Sequence, residues 1–150
     1  MDHLGVLLRL SMDTGGRQMV SLDEELALLD EYLAIEEVRF GDQLRVVRHL
    51  DARARRALVP NMILQPLVEN ALVHGLAGRI GAGLVEISSG IDGTMLTVSV
   101  RDDGPGLKPG WTLARHAGRG LANVVERMSA LFGREGVVEV VNAPGGGTAA

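Results

Sequence analysis

The 150-residue sequence contains no cysteine, which excludes disulfide bonds and thiolate metal sites and fits a reducing cytoplasm. Aromatic residues make up only 3%, so the core must be aliphatic, and stacking platforms for nucleic-acid bases are not expected. No run approaches the roughly 20 apolar residues that a membrane span requires, and the N-terminus lacks the layout of a signal peptide. The net charge of −4 provides no basic surface for a polyanion such as DNA. We therefore expect a cytoplasmic chain that contacts neither nucleic acid nor a membrane directly.

The first forty residues carry two helical patterns separated by a glycine break. Residues 3–12 are apolar enough for a helix that packs against another element, and the Asp-Thr-Gly-Gly of residues 13–16 interrupts the pattern. Ser21 and Glu24 have the spacing of a capping box, which predicts a second helix that runs to about Arg39. Its apolar stripe packs either on its own domain or on a partner, since a stripe does not identify what covers it. The stripe consists of Leu22, Leu26, Leu29, Leu33 and either Ile35 or Glu36.

The whole chain is 46% hydrophobic, which fits a globular protein, and the part after residue 40 alternates between short strands and helices. The central helix either starts just before Pro66 or is kinked there. Asp92-Gly93 is a strong hairpin signal between two alternating strands. The pattern predicts an α+β fold, a two-layer sandwich of one mixed sheet covered by helices on one side. The predicted elements after residue 40 are a strand at 44–50, a basic loop at 51–59, the central helix from about 64, strands at 84–89 and 95–101, a loop from 102 to 120, a helix at 120–132 and a strand at 136–141.

The stretch from Leu64 to Gly75, Leu-Gln-Pro-Leu-Val-Glu-Asn-Ala-Leu-Val-His-Gly, carries the polar residues of most interest. Its apolar residues recur at helical spacing, while Asn70 and His74 lie four apart and therefore share one edge of the apolar face. An edge of this kind can line a pocket.

Three glycine-bearing segments follow this stretch in order. They are Asp-Asp-Gly-Pro-Gly at 102–106, Gly-Arg-Gly-Leu at 118–121 and Gly-Gly-Gly-Thr at 145–148. Each alone is typical of an ordinary turn or helix start. The four patterns together, in this order, are a much stronger signal than any one of them.

The ordered set resembles the N, G1 and G2 boxes and the closing Gly-Thr of the GHKL (Bergerat-fold) ATPases. Within that superfamily, Gln65 to Ala71 with His74-Gly75 is similar to the sensor histidine kinases of the LytS type. The segment from Leu22 to Phe40 resembles the block that precedes the ATPase domain in those kinases. The resemblance spans about residues 7–148 and implies the same α+β architecture.

The resemblance implies ATP and Mg²⁺ as cofactors and assigns them to particular residues. A carboxylate at Asp102 can accept a hydrogen bond from the adenine amino group, and the Asn70 amide oxygen is a hard ligand suited to Mg²⁺. Backbone N–H groups at the start of the helix near Leu121 can bind phosphate. Glu69 could hold a water or position the reacting groups, and ordinary surface charge explains it equally well. The implied cofactor-binding residues are Asn70, His74, Asp102, Gly104, Gly106, Gly118, Arg119, Gly120, Leu121 and Thr148, with Glu69 and Asn70 as catalytic residues and Asn70 as the metal ligand.

Three features depart from the family pattern. Val73 stands where a Lys or Arg is usual, so a phosphate contact is either missing or supplied by Arg119 or Arg115. Asp103 replaces an Asn in the G1 box, and its extra negative charge is expected to weaken ATP binding. The chain stops at Ala150, before the final strand that such domains normally complete.

We therefore predict the ATP-binding catalytic domain of a two-component sensor histidine kinase, at 41–150, preceded at 1–40 by a helical remnant of the dimerisation and linker region. None of the four histidines lies in a Pro-His-Phe phosphoacceptor motif, so the expected partner is the phosphoacceptor-histidine helix of the parent kinase. The resemblance also implies a response regulator, a homodimeric parent and the cytoplasm, with anchoring of the parent in the inner membrane left open. The alternative is a degenerate or regulatory nucleotide-binding or protein-interaction module without phosphotransfer.

Overall fold

The fold is an α+β sandwich, seen in a computed structural model that describes residues 3–11, 19–76, 83–104, 109–116 and 118–143. The strands are β1 His3–Ser11, β2 Met19–Ser21, β3 Leu44–His49, β4 Leu58–Pro60, β5 Gly83–Asp92, β6 Met95–Asp102 and β7 Val137–Ala143. The α-helices are α1 Leu22–Phe40, α2 Leu64–Leu76, α3 Leu113–His116 and α4 Arg119–Phe132, with 3₁₀ turns at Gly41–Gln43, Ala52–Ala54 and Gly133–Glu135.

Five of the strands form one mixed sheet in the order β3-β5-β6-β1-β7, and β2 pairs with β4 in a separate ribbon. β3 runs parallel to β5, with α2 in the connection between them, while the other pairings in the sheet are antiparallel. Alternate residues of β6 are buried, namely Leu96, Val98 and Val100, because one face of the sheet packs on helices. The predicted mixed sheet covered by helices is confirmed.

Helix α1 packs its leucine stripe into the domain's own core. The Ser21 side chain accepts a hydrogen bond from the Glu24 backbone N–H at 3.1 Å, as the capping box predicts. The helix ends at Gly41, whose φ of +59° suits a residue without a Cβ. All four leucines of the stripe are buried in the same cluster as Leu64 and Leu67 of α2. Of the two alternatives for the stripe, packing on its own domain is the one observed.

Helix α2 begins at Leu64, so Pro66 lies in its first turn. A proline is tolerated there because the first backbone N–H groups of a helix have no intrahelical acceptor. The sequence left open a helix that starts just before Pro66 or one that is kinked there, and the structure shows the start.

The prediction of a helix over residues 3–12 is wrong, because residues 3–11 form β1 between β6 and β7. A short apolar run cannot be assigned to helix or strand from periodicity alone. Here the backbone pairs with strands on both sides, an interaction between distant segments that no local pattern reveals. The strand joins the sheet built by residues beyond position 40.

The hairpin, the last helix and the last strand agree with prediction, whereas the long loop contains more structure than expected. β5 and β6 are joined through Gly93, which has a φ of +61°, and Thr94. Between Asp102 and Gly120, where only loop was expected, the short helix α3 forms and α4 already begins at Arg119. The strand expected to begin at Thr148 lies outside the described residues.

Candidate functional site

Helix α2 presents two polar edges on either side of its exposed face. Asn70 is half-buried and His74, one turn later, is exposed on the same edge. Glu69 lies about 100° round the helix from Asn70 and accepts a hydrogen bond from the Gln65 side-chain amide at 3.1 Å. Glu69 therefore belongs to a different edge from Asn70.

The Glu69 edge faces α1 across a cavity of about 420 Å³. Burial raises the pKa of the Tyr32 hydroxyl to about 12, with further contributions from the nearby carboxylates of Glu36 and Glu69. Tyr32 is therefore a neutral hydrogen-bonding group at physiological pH. The cavity is lined by Tyr32, Glu36, Arg39, Phe40, Glu69, Leu72 and Val73, a set that includes neither Asn70 nor Asp102.

The Asn70 edge lies on the side of α2 that meets α4. α2 contacts α4, β5 and β6. A Cβ placed on Gly120 would lie 3.7 Å from the Cβ of Pro66, which brings the first turn of α4 against the first turn of α2. Asn70 is one turn further along α2 than Pro66. The N and G2 segments of the sequence are thus neighbours in space.

The start of α4 offers backbone donors without any side-chain cap. Gly118 is the N-cap residue, with extended backbone angles, and its carbonyl accepts the N–H of Ala122 at 2.9 Å. Arg119 and Gly120 are exposed, while Leu121 is buried and anchors the first turn to the core. The unbonded N–H groups of the first turn and the helix dipole together suit an anion.

Asp102 ends β6 as a buried carboxylate with 2% exposure. Its Oδ1 accepts the N–H of Gly104 at 2.8 Å, and Gly104 itself is buried. Asp102 lies on the same buried face of β6 as Leu96, Val98 and Val100, and β6 contacts α2. Such a carboxylate can accept a hydrogen bond from an amino group that enters the pocket.

The segment after the G1 turn is organised around Trp111 and His116. Their rings stack at 6.2 Å between centroids. The Thr112 hydroxyl accepts the N–H of Arg115 at 3.3 Å, and the Thr112 N–H donates to Nδ1 of His116 at 3.0 Å. These contacts stabilise the short helix α3. Two predicted site residues, Gly106 and Thr148, lie outside the described residues.

One buried polar residue was missed by the sequence analysis. Glu25 on α1 is 2% exposed, and its carboxylate accepts the backbone N–H groups of Met62, Ile63 and Leu64, at the start of α2. Its position three residues after Leu22 and four before Leu29 places a charge within the apolar stripe of α1, which was the available signal.

Comparison with known proteins shows which family this chain belongs to. Residues 57–150 match the family described as "Histidine kinase-, DNA gyrase B-, and HSP90-like ATPase", and residues 1–44 match the family described as "Histidine kinase". The chain belongs to the histidine kinase-, DNA gyrase B- and HSP90-like ATPase family.

Its relatives include sensor histidine kinases of much greater length. The chain is 34% identical over 137 residues to sensor histidine kinase YpdA of Escherichia coli, covering 87% of this chain and 24% of that protein. It is 31% identical over 134 residues to sensor histidine kinase YesM of Bacillus subtilis, covering 88% of this chain and 23% of that protein. The chain therefore spans about a quarter of the length of these relatives.

A solved structure shares the fold. The histidine kinase domain from Erythrobacter litoralis EL346 blue-light activated histidine kinase superposes with a TM-score of 0.58 at 20% identity, covering 87% of this chain and 65% of that chain.

Within the residues that the structure describes, no group of three or more His, Asp or Glu side chains could hold a metal ion by itself. No helix within the same ranges is both long and apolar enough to cross a bilayer. A metal at Asn70 would take its remaining ligands from phosphate and water, which is the usual pattern for Mg²⁺.

Proposed function

We propose that this chain is the ATP-binding catalytic domain of a two-component sensor histidine kinase. Nucleotide binds between the Asn70 edge of α2, the end of β6 and the start of α4. The observation that carries this proposal is the buried Asp102 carboxylate at the end of the strand beneath α2, in a chain of this ATPase family.

Each part of the site contributes a different interaction. The Asp102 carboxylate accepts from the adenine amino group and disfavours guanine, whose carbonyl at that place would repel it. The α4 N-terminus, with Gly118 to Leu121, donates backbone N–H groups to the phosphates, and Arg119 adds a positive charge. Gly104 and Gly106 belong to the cofactor-binding set, Thr148 after three glycines closes the adenine pocket, and His74 lies at the pocket edge.

The reaction moves the γ-phosphoryl group from the ADP oxygen to an imidazole nitrogen of the phosphoacceptor histidine. Catalysis of such a transfer depends on positioning and charge neutralisation. Mg²⁺, held by Asn70 and the phosphates, supplies part of that neutralisation. Glu69 faces the α1 cavity, so its predicted role in holding a water or positioning the reacting groups requires the phosphoacceptor to approach from the α1 side of α2.

The parent protein carries the other components. We propose that residues 41–150 form the main part of the catalytic domain, and that residues 1–40 descend from the dimerisation and linker region but complete the same fold, with β1 in its sheet and α1 in its core. The parent is a homodimer that supplies the phosphoacceptor helix and acts on a response regulator in the cytoplasm, where ATP is available.

A regulatory nucleotide-binding module is the second candidate, and one observation favours it. Val73 is 62% exposed on α2 and places a neutral side chain in the cavity wall beside Glu69. The position at which the family usually carries a Lys or Arg is therefore neutral, and it lines the α1 cavity rather than the Asn70 edge. A domain of this kind could bind nucleotide without transferring phosphate.

Titration calorimetry with a non-hydrolysable ATP analogue, with and without Mg²⁺, tests the proposal. We expect Mg²⁺-dependent binding that Asp102→Asn abolishes and that Asn70→Ala makes independent of Mg²⁺. Asp92→Asn, the same chemical change at the exposed hairpin, should bind as the wild type does. The absence of binding at millimolar nucleotide would contradict both candidates.

Phosphotransfer separates the two candidates. The chain mixed with the phosphoacceptor segment of its parent and labelled ATP should transfer phosphate to that segment, and the chain alone should not become labelled. Tight Mg²⁺-dependent binding without transfer would favour the regulatory module.

A further inference from the structure

The carboxylate of Glu25 joins α1 to the beginning of α2. Oε2 accepts the N–H of Ile63 at 2.6 Å and that of Leu64 at 3.2 Å, and Oε1 accepts the N–H of Met62 at 3.1 Å. These donors lie at the start of α2, where backbone N–H groups have no partner within the helix and the dipole is positive. The Glu25 carboxylate, although it belongs to another helix, therefore takes the place of an N-cap side chain.

The same three bonds hold a backbone conformation that the sequence does not favour. Met62 has a φ of +59°, in the left-handed region, which is uncommon for a residue with a Cβ. Such a conformation persists only where the surroundings determine it. The hydrogen bond from the Met62 N–H to Glu25 is one such determinant.

The connection is reciprocal, because the start of α1 depends on the segment that leads into α2. The N–H of Leu22 donates to the carbonyl of Ala57 at 2.8 Å, and that of Asp23 donates to the carbonyl of Arg55 at 3.0 Å. β2 and β4, which precede the two helices, pair with each other. The beginnings of α1 and α2 therefore form one joint, and Glu25 is the buried charge inside it.

We propose that Glu25 is a positioning residue for the Mg²⁺ ligand Asn70, an inference that rests on the proposed nucleotide site. Asn70 lies six residues beyond Leu64, on the same rigid helix. Because side-chain tips lie about 5–6 Å from a helix axis, a 20° rotation of α2 would displace the Asn70 oxygen by about 2 Å. Mg²⁺ requires ligands at about 2.0–2.1 Å in near-octahedral geometry, so a displacement of that size would break the contact.

The carboxylate suits this task because it is buried. Water cannot replace it, and loss of the charge leaves three backbone donors competing for a weaker acceptor. The expected effect is on the Mg²⁺-dependent part of nucleotide binding. The adenine contact at Asp102 belongs to the sheet and should remain.

The test compares the ratio of nucleotide Kd without Mg²⁺ to that with Mg²⁺ in folded variants. Glu25→Gln keeps the length and removes the charge, and Glu25→Asp keeps the charge and withdraws it by one methylene. Each should lower the ratio about tenfold or more, the loss typical of removing a residue that orients a metal ligand. Leu29→Ala is the control, because it destabilises α1 in the core but removes none of the hydrogen bonds of the joint, and it should keep the wild-type ratio.

The outcomes distinguish this inference from the function on which it rests. If the wild type shows Mg²⁺-dependent binding and both Glu25 variants keep the wild-type ratio, the positioning role is wrong and the nucleotide site stands. An equal loss in Leu29→Ala, or failure of both Glu25 variants to fold, would assign Glu25 to general stability and overturn the proposal. Absence of any Mg²⁺ dependence in the wild type would overturn the function and the inference together.

Discussion

Asp103 and Leu84 form a reciprocal pair at the end of the β5–β6 hairpin. The N–H of Leu84 donates to Oδ1 of Asp103 at 2.9 Å, and the N–H of Asp103 donates to the carbonyl of Leu84 at 3.2 Å. Asp103, which departs from the usual G1 pattern, thus extends the hydrogen bonding between β5 and β6 by one residue pair. Its charge is directed at the β5 backbone.

This pair predicts a difference between two substitutions at position 103. Asp103→Asn keeps an oxygen that can accept from Leu84, so the free energy of unfolding should change by less than about 1 kcal/mol. Asp103→Ala should lower the free energy of unfolding by about 1–2 kcal/mol, because the backbone N–H of Leu84 loses its acceptor. Urea unfolding measures both values, and equal losses in the two variants would contradict the role of the hydrogen bond. Calorimetry on Asp103→Asn should show only a small gain in ATP affinity.

Gly120→Ala should separate stability from nucleotide binding. A Cβ at this position meets only the Pro66 Cβ, at an ordinary contact distance of 3.7 Å, and alanine favours a helix by up to about 1 kcal/mol over glycine. The melting temperature should therefore stay constant or rise. Affinity for the ATP analogue should fall, because the methyl group partly covers the backbone donors at the α4 N-terminus.

Gly90→Ala provides the matched control for that experiment. No atom lies within 4 Å of a Cβ at Gly90, which is in β5 and outside the proposed site. It should bind nucleotide as the wild type does. Unchanged affinity in Gly120→Ala would argue that phosphate does not approach this turn.

Leu33→Ala should show that α1 is part of the catalytic domain's core. Leu33 is 0% exposed, so its truncation should lower the free energy of unfolding by about 2–5 kcal/mol. Ile35→Ala, on the same helix at 69% exposure, should change it by no more than about 0.5 kcal/mol. Similar values for the two variants, measured by urea unfolding, would contradict the packing of α1 described above.

We expect the free energy of unfolding to fall at alkaline pH because of Tyr32, the tyrosine of α1. Because burial and the carboxylates of Glu36 and Glu69 raise the pKa of Tyr32 to about 12, the folded protein keeps a proton that the unfolded chain releases near pH 10. Stability should therefore fall as the pH rises from about 10 to 12, and Tyr32→Phe should lack this contribution.

The ultraviolet absorbance of tyrosinate measures the pKa of Tyr32 directly, since Tyr32 is the single tyrosine of the chain. Glu36→Gln and Glu69→Gln should each lower the pKa of Tyr32. An unchanged titration midpoint in Glu69→Gln would mean that Glu69 does not face the α1 cavity.

Local signals predicted the elements that local chemistry determines. The boundaries of these elements depend on hydrogen bonds or backbone angles that a few neighbouring residues determine. Examples are the capping box of Ser21 and Glu24, Gly93 in the hairpin and Gly133 after α4. The order of the glycine segments likewise predicted the family, which the comparison with known proteins confirmed. The roles of the individual site residues stay predictions.

Pairings between distant segments could not be predicted in this way. β1 is a strand because β6 and β7 lie on both sides of it, and neither neighbour is visible from residues 3–11. Glu25 was overlooked for a similar reason. A glutamate within an apolar stripe indicates a buried partner, but the donors belong to residues 62–64, which are 37 to 39 positions away.

The stacking of Trp111 on His116 gives the protein an optical reporter of its own. Trp111 is the single tryptophan of the chain and is half-buried in the segment that follows the G1 turn. Its fluorescence therefore arises entirely from one location beside the proposed nucleotide site. Stopped-flow mixing could follow changes around that segment in real time, without a dye or an introduced label.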